Sequence, residues 1–177
     1  MFNPKSIHTK TAFVAISEYL KTGNVLMNEK KEIPKELAGK NACFVTLRSG
    51  NGDLRGCIGT LSPVYENLYT EIVKNAISSA VRDSRFSKLT IRELNDISLS
   101  VEVLSEPELV QNNEQLDPRK YGLIISDGSY RRGVLLPDIE GVDTVTEQIR
   151  IVKQKAGIYE IKNDNLEFYR FTTDRFY

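Results

Sequence analysis

The sequence is short of the residues on which much protein chemistry is built. Its 177 residues include one histidine, His8, two cysteines, Cys43 and Cys57, and no tryptophan. A structural zinc site takes four Cys or His ligands, more than the chain possesses, and no spacing of carboxylates suggests a catalytic metal. Neither a metal nor a cofactor is therefore expected. A cysteine–histidine dyad would have to recruit His8 from close to the N-terminus. An excess of charge is missing too. The 24 basic and 24 acidic residues cancel, which removes long-range attraction to nucleic acid or an anionic membrane. No apolar run approaches the length of a membrane span. The start, "MFNPKSIHTKTAF", lacks the apolar stretch of a secretory signal, so the expected compartment is the cytoplasm. There is no Walker loop, no strand–GxGxxG–helix unit and no internal repeat.

What is there suits a single domain spanning residues 1–177, with room for a small lobe around 24–41 and 83–96. With 40% hydrophobic and 27% charged residues, it reads as an ordinary globular chain. Residues 8–21 read as a helix with Phe13, Ile16 and Leu20 on one face and Gly23 as its stop. "ACFVTLR" and "LRGCIGTL" flank Asn51-Gly52 and read as a β-hairpin. A long helix is expected from Ser62, as N-cap, with Pro63 at the first helical position. Its apolar stripe is Val64, Leu68, Ile72, Ala76 and Ala80, widened by Val73 and Ile77. Thr90 and Glu93 have the capping-box spacing of a short helix. "ISLSVEVL" alternates as a half-buried strand, with Ser98, Ser100 and Glu102 on its polar side. A second hairpin turns at Asp127-Gly128-Ser129. A helix capped by Thr144 runs to Ala156 and stops at Gly157, and "LEFYRF" is a last strand. Hairpins outnumber parallel crossovers. The expected class is α+β, an antiparallel sheet flanked by helices.

The stretch "LRGCIGTLSP", Leu54–Pro63, places Cys57 between an Arg-Gly pair and a second glycine. One reading is functional: Arg55 stabilises a thiolate, and Gly56 and Gly59 leave the backbone open to a ligand. The other is structural, with a small buried cysteine and strand glycines that mark close packing. Arg131-Arg132-Gly133 follows the second hairpin as Arg55-Gly56 follows the first. Converging hairpins would gather arginines suited to a phosphate or carboxylate; otherwise these are solvated edge residues. Asp83 and Arg85 either form a surface pair or project into a cleft.

"LRGCIG" resembles the signature of the AMME chromosomal-region family, whose bacterial and archaeal members are called AmmeMemoRadiSam system protein A. "ACFVTL" precedes it at the expected distance, and "DSRF", "ISLSVEVLSEPE", "KYGLIISDG", "RRGVLLPDIEGVDT" and "KAGI" follow in family order, so that the resemblance covers roughly residues 8–175. In "DSRF" serine stands where the family has proline. Tyr121 stands where a histidine is frequent, and Lys153 where a cysteine is. The resemblance implies an antiparallel sheet flanked by helices, with a smaller lobe and a cleft between, near which the signature lies. It implies two partners, a Memo-like protein resembling ring-opening non-haem dioxygenases and a radical S-adenosylmethionine enzyme.

Two functions follow. One is an accessory or binding module acting with those partners. The alternative is an enzyme acting on a small anionic substrate in a cleft lined by Arg55, Cys57, Asp83 and Arg132, with Cys57, Arg55 and Asp83 as the catalytic candidates. The candidate ligand-binding residues are Arg55, Gly56, Cys57, Gly59, Arg85 and Arg132. Three local expectations accompany them. Cys43 and Cys57 point to opposite sheet faces and form no disulfide. Gly56 and Gly59 are required by the backbone. Burial outweighs Arg55 in setting the Cys57 thiol pKa, so the thiol is not an activated nucleophile.

Overall fold

The computed structural model describes residues 3–25, 33–159, 162 and 165–177. Helix α1, Ile7–Thr22, begins where the Ser6 hydroxyl accepts the Thr9 N–H and the Thr9 hydroxyl accepts the Ser6 N–H. It ends at Gly23, whose φ of 77° is the left-handed conformation that glycine adopts without strain. Strands β1, Cys43–Arg48, and β2, Leu54–Gly59, form the expected hairpin. Thr46 lies opposite Cys57, while a register shift at Leu47/Arg48 brings Arg48 opposite Leu54. The turn is therefore wider than the two residues Asn51-Gly52.

Helix α2 is Leu68–Val81, so that it begins five residues later than the expected first helical position, Pro63. Asn67, not Ser62, is the N-cap, accepting the Thr70 N–H at 2.9 Å. Val64 consequently leaves the apolar stripe and is 66% exposed. The reason is Glu71. Its carboxylate accepts the Val64 and Tyr65 N–H groups at 3.0 and 2.9 Å, which holds the segment before the helix as a loop. The rest of the stripe is buried.

Residues 83–97 form a connection with one 3₁₀ turn at Glu93–Asn95, and β3, Ser98–Leu104, follows. Beyond it come β4, Glu108–Leu109, β5, Gly122–Ser126, β6, Arg132–Leu135, and α3, Val145–Lys155, capped by Thr144. Strands β7, Glu167–Phe171, and β8, Thr173–Phe176, complete the order. Strands β4 and β8 lie outside the sequence reading.

The chain divides into two compact units. The first is Met1–Val103 with Asp174–Tyr177, and the second is Leu104–Thr173. Residues 83–96 thus belong to the first unit, as does the part of 24–41 that is described; residues 26–32 lie outside the described set. The first unit has a sheet in the order β2-β1-β3-β8, with β1 antiparallel to both neighbours. One face of this sheet, with Val45, Leu47, Leu99 and Val101, packs on Ala12 and Ile16 of α1 and Ile72, Ala76 and Ala80 of α2. The second unit has an antiparallel sheet β4-β7-β5-β6. Its core joins Leu123, Ile125 and Phe168 to Ile149 and Val152 of α3. The class is α+β, as expected. No helix among the described residues is long and apolar enough to cross a membrane.

Two glycines of β2 permit close approach, Gly56 of the α2 layer and Gly59 of the neighbouring strand β1. A β-carbon on Gly56 would fall onto the Ser79 carbonyl of α2, and one on Gly59 onto the Phe44 ring and the Cys43 carbonyl. Neither has positive φ, so close approach is the whole reason for glycine at both. Gly56→Val should destabilise the protein by about 1–3 kcal/mol, the cost of overpacking a site that cannot relax. Chemical-denaturation midpoints check this; a midpoint equal to wild type would show that α2 can withdraw from β2.

Candidate functional site

β2 is an edge strand. Alternate residues on such an edge point their N–H and C=O away from the sheet, and these need other partners. The Thr60 N–H bonds the Cys43 carbonyl across the hairpin, so by alternation Cys57 faces outward. Asp83 Oδ2 accepts the Cys57 N–H at 2.9 Å, and Arg85 Nη2 donates to the Cys57 carbonyl at 3.3 Å. Arg85 also grips Asp83 with two bonds, Nε to Oδ1 at 3.0 Å and Nη2 to Oδ2 at 2.7 Å. The carboxylate–guanidinium pair thus does for Cys57 what a residue of a neighbouring strand would do.

Asp83 ends a row along α2. Glu71, Asn75, Ser79 and Asp83 recur every four residues, and all four are buried. Glu71 Oε1 accepts the Thr60 hydroxyl at 2.5 Å, and Asn75 Nδ2 donates to the Cys43 carbonyl at 3.0 Å. The Ser79 hydroxyl accepts the Ile58 N–H at 2.8 Å and donates to the Val45 carbonyl at 2.7 Å. A polar row therefore bonds the hairpin beside the apolar stripe that packs on it. Only Asp83 of this row was singled out from sequence, although the spacing E-x₃-N-x₃-S-x₃-D was a readable sign.

Arg55 does not serve the thiol. Its Nε donates to Glu93 Oε1 at 2.8 Å and its Nη1 to the Ser87 carbonyl at 2.9 Å, which ties residues 87–93 to β2. The cation that acts on Cys57 is Arg85.

Cys57 Sγ lies 3.4 Å from Thr46 Oγ1, which donates to Glu102 Oε2 at 3.4 Å. Glu102 is only 3% exposed and not on a solvated strand face as the alternation suggested. Ser100 Oγ donates to it at 2.9 Å, and Arg175 of β8 pairs with it at 3.0 Å. Burial pushes the Cys57 thiol up, more strongly than Arg85 pulls it down. Cys43, within the core on the opposite face, is pushed up to about 12 by burial. Both cysteines are free. His8 stacks its ring on Phe176 with centroids 3.6 Å apart. Among the described residues it makes no hydrogen bond with Cys57, so no cysteine–histidine dyad forms.

In the second unit Arg131 is held by Asp127, Nε to Oδ2, at 2.7 Å. Its neighbour Arg132 is exposed. Tyr121 lies beneath the Arg170 guanidinium at 4.5 Å and near Lys120 at 5.0 Å. Among the described residues no group of three or more His, Cys, Asp or Glu is placed to hold a metal ion.

The AMMECR1 family model matches residues 9–176, which include the edge strand, the Asp83–Arg85 pair and both units. The chain belongs to the AMMECR1 family. It is 49% identical to a protein of Thermotoga maritima over 170 residues, covering 96% of each. It is 41% identical to a protein of Clostridium acetobutylicum, covering 95% of this chain but 36% of that one. The crystal structure of the uncharacterized protein PH0010 from Pyrococcus horikoshii superposes with a TM-score of 0.84 at 30% identity, covering 98% of this chain and 92% of the other. In this AMMECR1 chain, the signature strand's glycines and its Asp-x-Arg companion have structural partners on every side described above.

The charge state of Asp83 gives a pH test. Arg85, with the Cys57 N–H, holds its carboxyl well below the usual carboxylate range. The unfolded chain takes up a proton near pH 4 while the folded one does not. The stabilisation is therefore complete above about pH 4 and is lost as pH falls toward the folded pKa. Asp83→Asn should lower the urea midpoint at pH 7, and its gap from wild type should narrow as pH falls from 5 to 3. A gap independent of pH would show that the carboxylate charge is not what stabilises the edge. The thiols give a second test. At neutral pH native Cys57 should alkylate no faster than an ordinary free thiol and Cys43 only on unfolding. A Cys57 rate midpoint below the ordinary thiol value of about 8.5 would overturn the dominance of burial.

Proposed function

We propose that this AMMECR1 protein is a non-catalytic binding module of the cytoplasm that works beside a Memo-like protein and a radical S-adenosylmethionine enzyme. The observation that carries this reading is that the reactive groups around Cys57 are already engaged within the chain. Asp83 is saturated by the Cys57 N–H and Arg85, and Arg55 is divided between Glu93 and Ser87. The thiol is shifted away from the nucleophilic thiolate. An enzyme acting on a small anion through Arg55, Cys57 and Asp83 would first have to break these bonds. Each lost charge-assisted bond is costly when it leaves a buried group unpaired. Arg132 remains the candidate among these for contact with an anionic ligand. The Clostridium acetobutylicum relative, in which the matched region is 36% of the chain, supports a module used together with other polypeptide.

The test is reconstitution. The purified chain is mixed with purified Memo-like and radical S-adenosylmethionine proteins from the same genome, and complexes are separated by size. Wild type and Cys57→Ser should form the same complex. Absence of a complex with either protein, or its loss in Cys57→Ser, would overturn the reading.

A further inference from the structure

The segment that follows α2, residues 82–93, carries four basic residues, Arg82, Arg85, Lys88 and Arg92, and two acidic ones, Asp83 and Glu93. Both acids are engaged within the chain, Asp83 buried and Glu93 with 37% of its side chain exposed. Asp83 bonds the Cys57 N–H and Arg85. Glu93 bonds Arg55 and accepts both the N–H and the hydroxyl of Thr90. The cations point outward. Arg85 keeps 55% of its side chain exposed even while paired. Arg82, Lys88 and Arg92 are exposed and have no ion pair among the described residues. A chain of zero net charge thus turns a local excess of positive charge outward.

The segment is also held in place. The Leu89 N–H bonds the Ala80 carbonyl at 2.8 Å, and the Phe86 N–H bonds the Asp83 carbonyl at 3.1 Å. Leu89 and Leu94 are buried at 3% and 6% exposure, and Arg55 fastens Ser87 and Glu93 to β2. The cations are therefore carried on a fixed frame, and a partner pays little to order it. Between them lies apolar surface, with Ile91 48% exposed and Phe86 half-buried.

We propose that residues 82–92 form a docking surface for an acidic protein segment that also presents an apolar side chain. The proposal rests on the binding-module reading and names its surface. Charge complementarity selects an acidic partner, and Ile91 selects one with an aliphatic or aromatic group to bury. A nucleic acid fits less well. Three unpaired cations are few beside the six to ten phosphate contacts of a typical binder. The Arg85 guanidinium lies 5.4 Å from the centre of the half-buried Phe86 ring, over a face that a base would need for stacking.

The experiment uses the full chain and fluorescence anisotropy with three labelled probes: a glutamate-rich peptide with leucine at every fourth position, the same peptide with glutamine for glutamate, and a single-stranded oligothymidine. The acidic peptide should bind wild type and weaken as salt rises. It should bind the triple variant Arg82→Glu, Lys88→Glu, Arg92→Glu about tenfold or more weakly, while Arg132→Glu binds as wild type. The triple variant removes exposed side chains without acidic partners, and an unchanged urea midpoint verifies its fold. No binding to wild type, equal binding by the triple variant, equal binding of the glutamine peptide, or tighter binding of oligothymidine each overturns the proposal. The reconstitution test is separate. A triple variant that still assembles with both proteins leaves the binding-module reading standing and removes only this surface.

Discussion

The first unit depends on how α2 is bonded to the edge of its sheet. An apolar stripe alone would let the helix slide or rotate on the hairpin with little penalty, because hydrophobic contact is non-directional. Glu71, Asn75, Ser79 and Asp83 remove that freedom. Each bonds a particular group of the hairpin, at Thr60, Cys43, Ile58 with Val45, and Cys57 in turn. Displacing the helix by one turn would leave buried polar groups without partners, each costing about 1–3 kcal/mol. The glycine at 56 is part of the same arrangement, since it lets the Ser79 backbone come close enough for the Ser79 hydroxyl to reach β1 and β2.

This changes how the signature strand is understood. Cysteine at 57, flanked by arginine and glycines, has the composition of a reactive site. The geometry gives each neighbour a different task. Gly56 admits the helix and Gly59 admits Phe44. Arg55 anchors the following connection, and Asp83 with Arg85 closes the open edge. The thiol itself faces Thr46 and lies near the buried Glu102, surroundings that favour its neutral form. A strand edge blocked by a side-chain pair is also protected from pairing with another chain.

Much of this was legible in the sequence. Alternation in 97–104, the turn residues at 51–52 and 127–129, and the caps at Gly23 and Thr144 located the hairpins and helices. The Thr46–Cys57 pairing is the one a two-residue Asn51-Gly52 turn dictates; the turn is wider, and the register shift at Leu47/Arg48, between the turn and this pair, takes up the difference. The α2 start was misplaced because Ser62-Pro63 carries strong local helix signals, and a tertiary bond from Glu71 overrides them. Glu102 was read as solvated because its cover comes from Arg175, 73 positions later in the chain, and no local pattern reports such a partner. Arg55 was placed beside the thiol since strand alternation puts both on one face. What alternation does not carry is the length of the arginine side chain and the pull of Glu93.

The return of Asp174–Tyr177 to the first unit has a consequence for the order of synthesis. On the ribosome, residues up to Val103 emerge well before the strand that borders β3. Until then Glu102 lacks Arg175 and His8 lacks the Phe176 ring. β3 meanwhile presents an open edge, because β8 is its outer neighbour. Closing that edge is a contact across Leu104–Thr173 in sequence, long-range pairing of the kind that costs loop-closure entropy and slows folding.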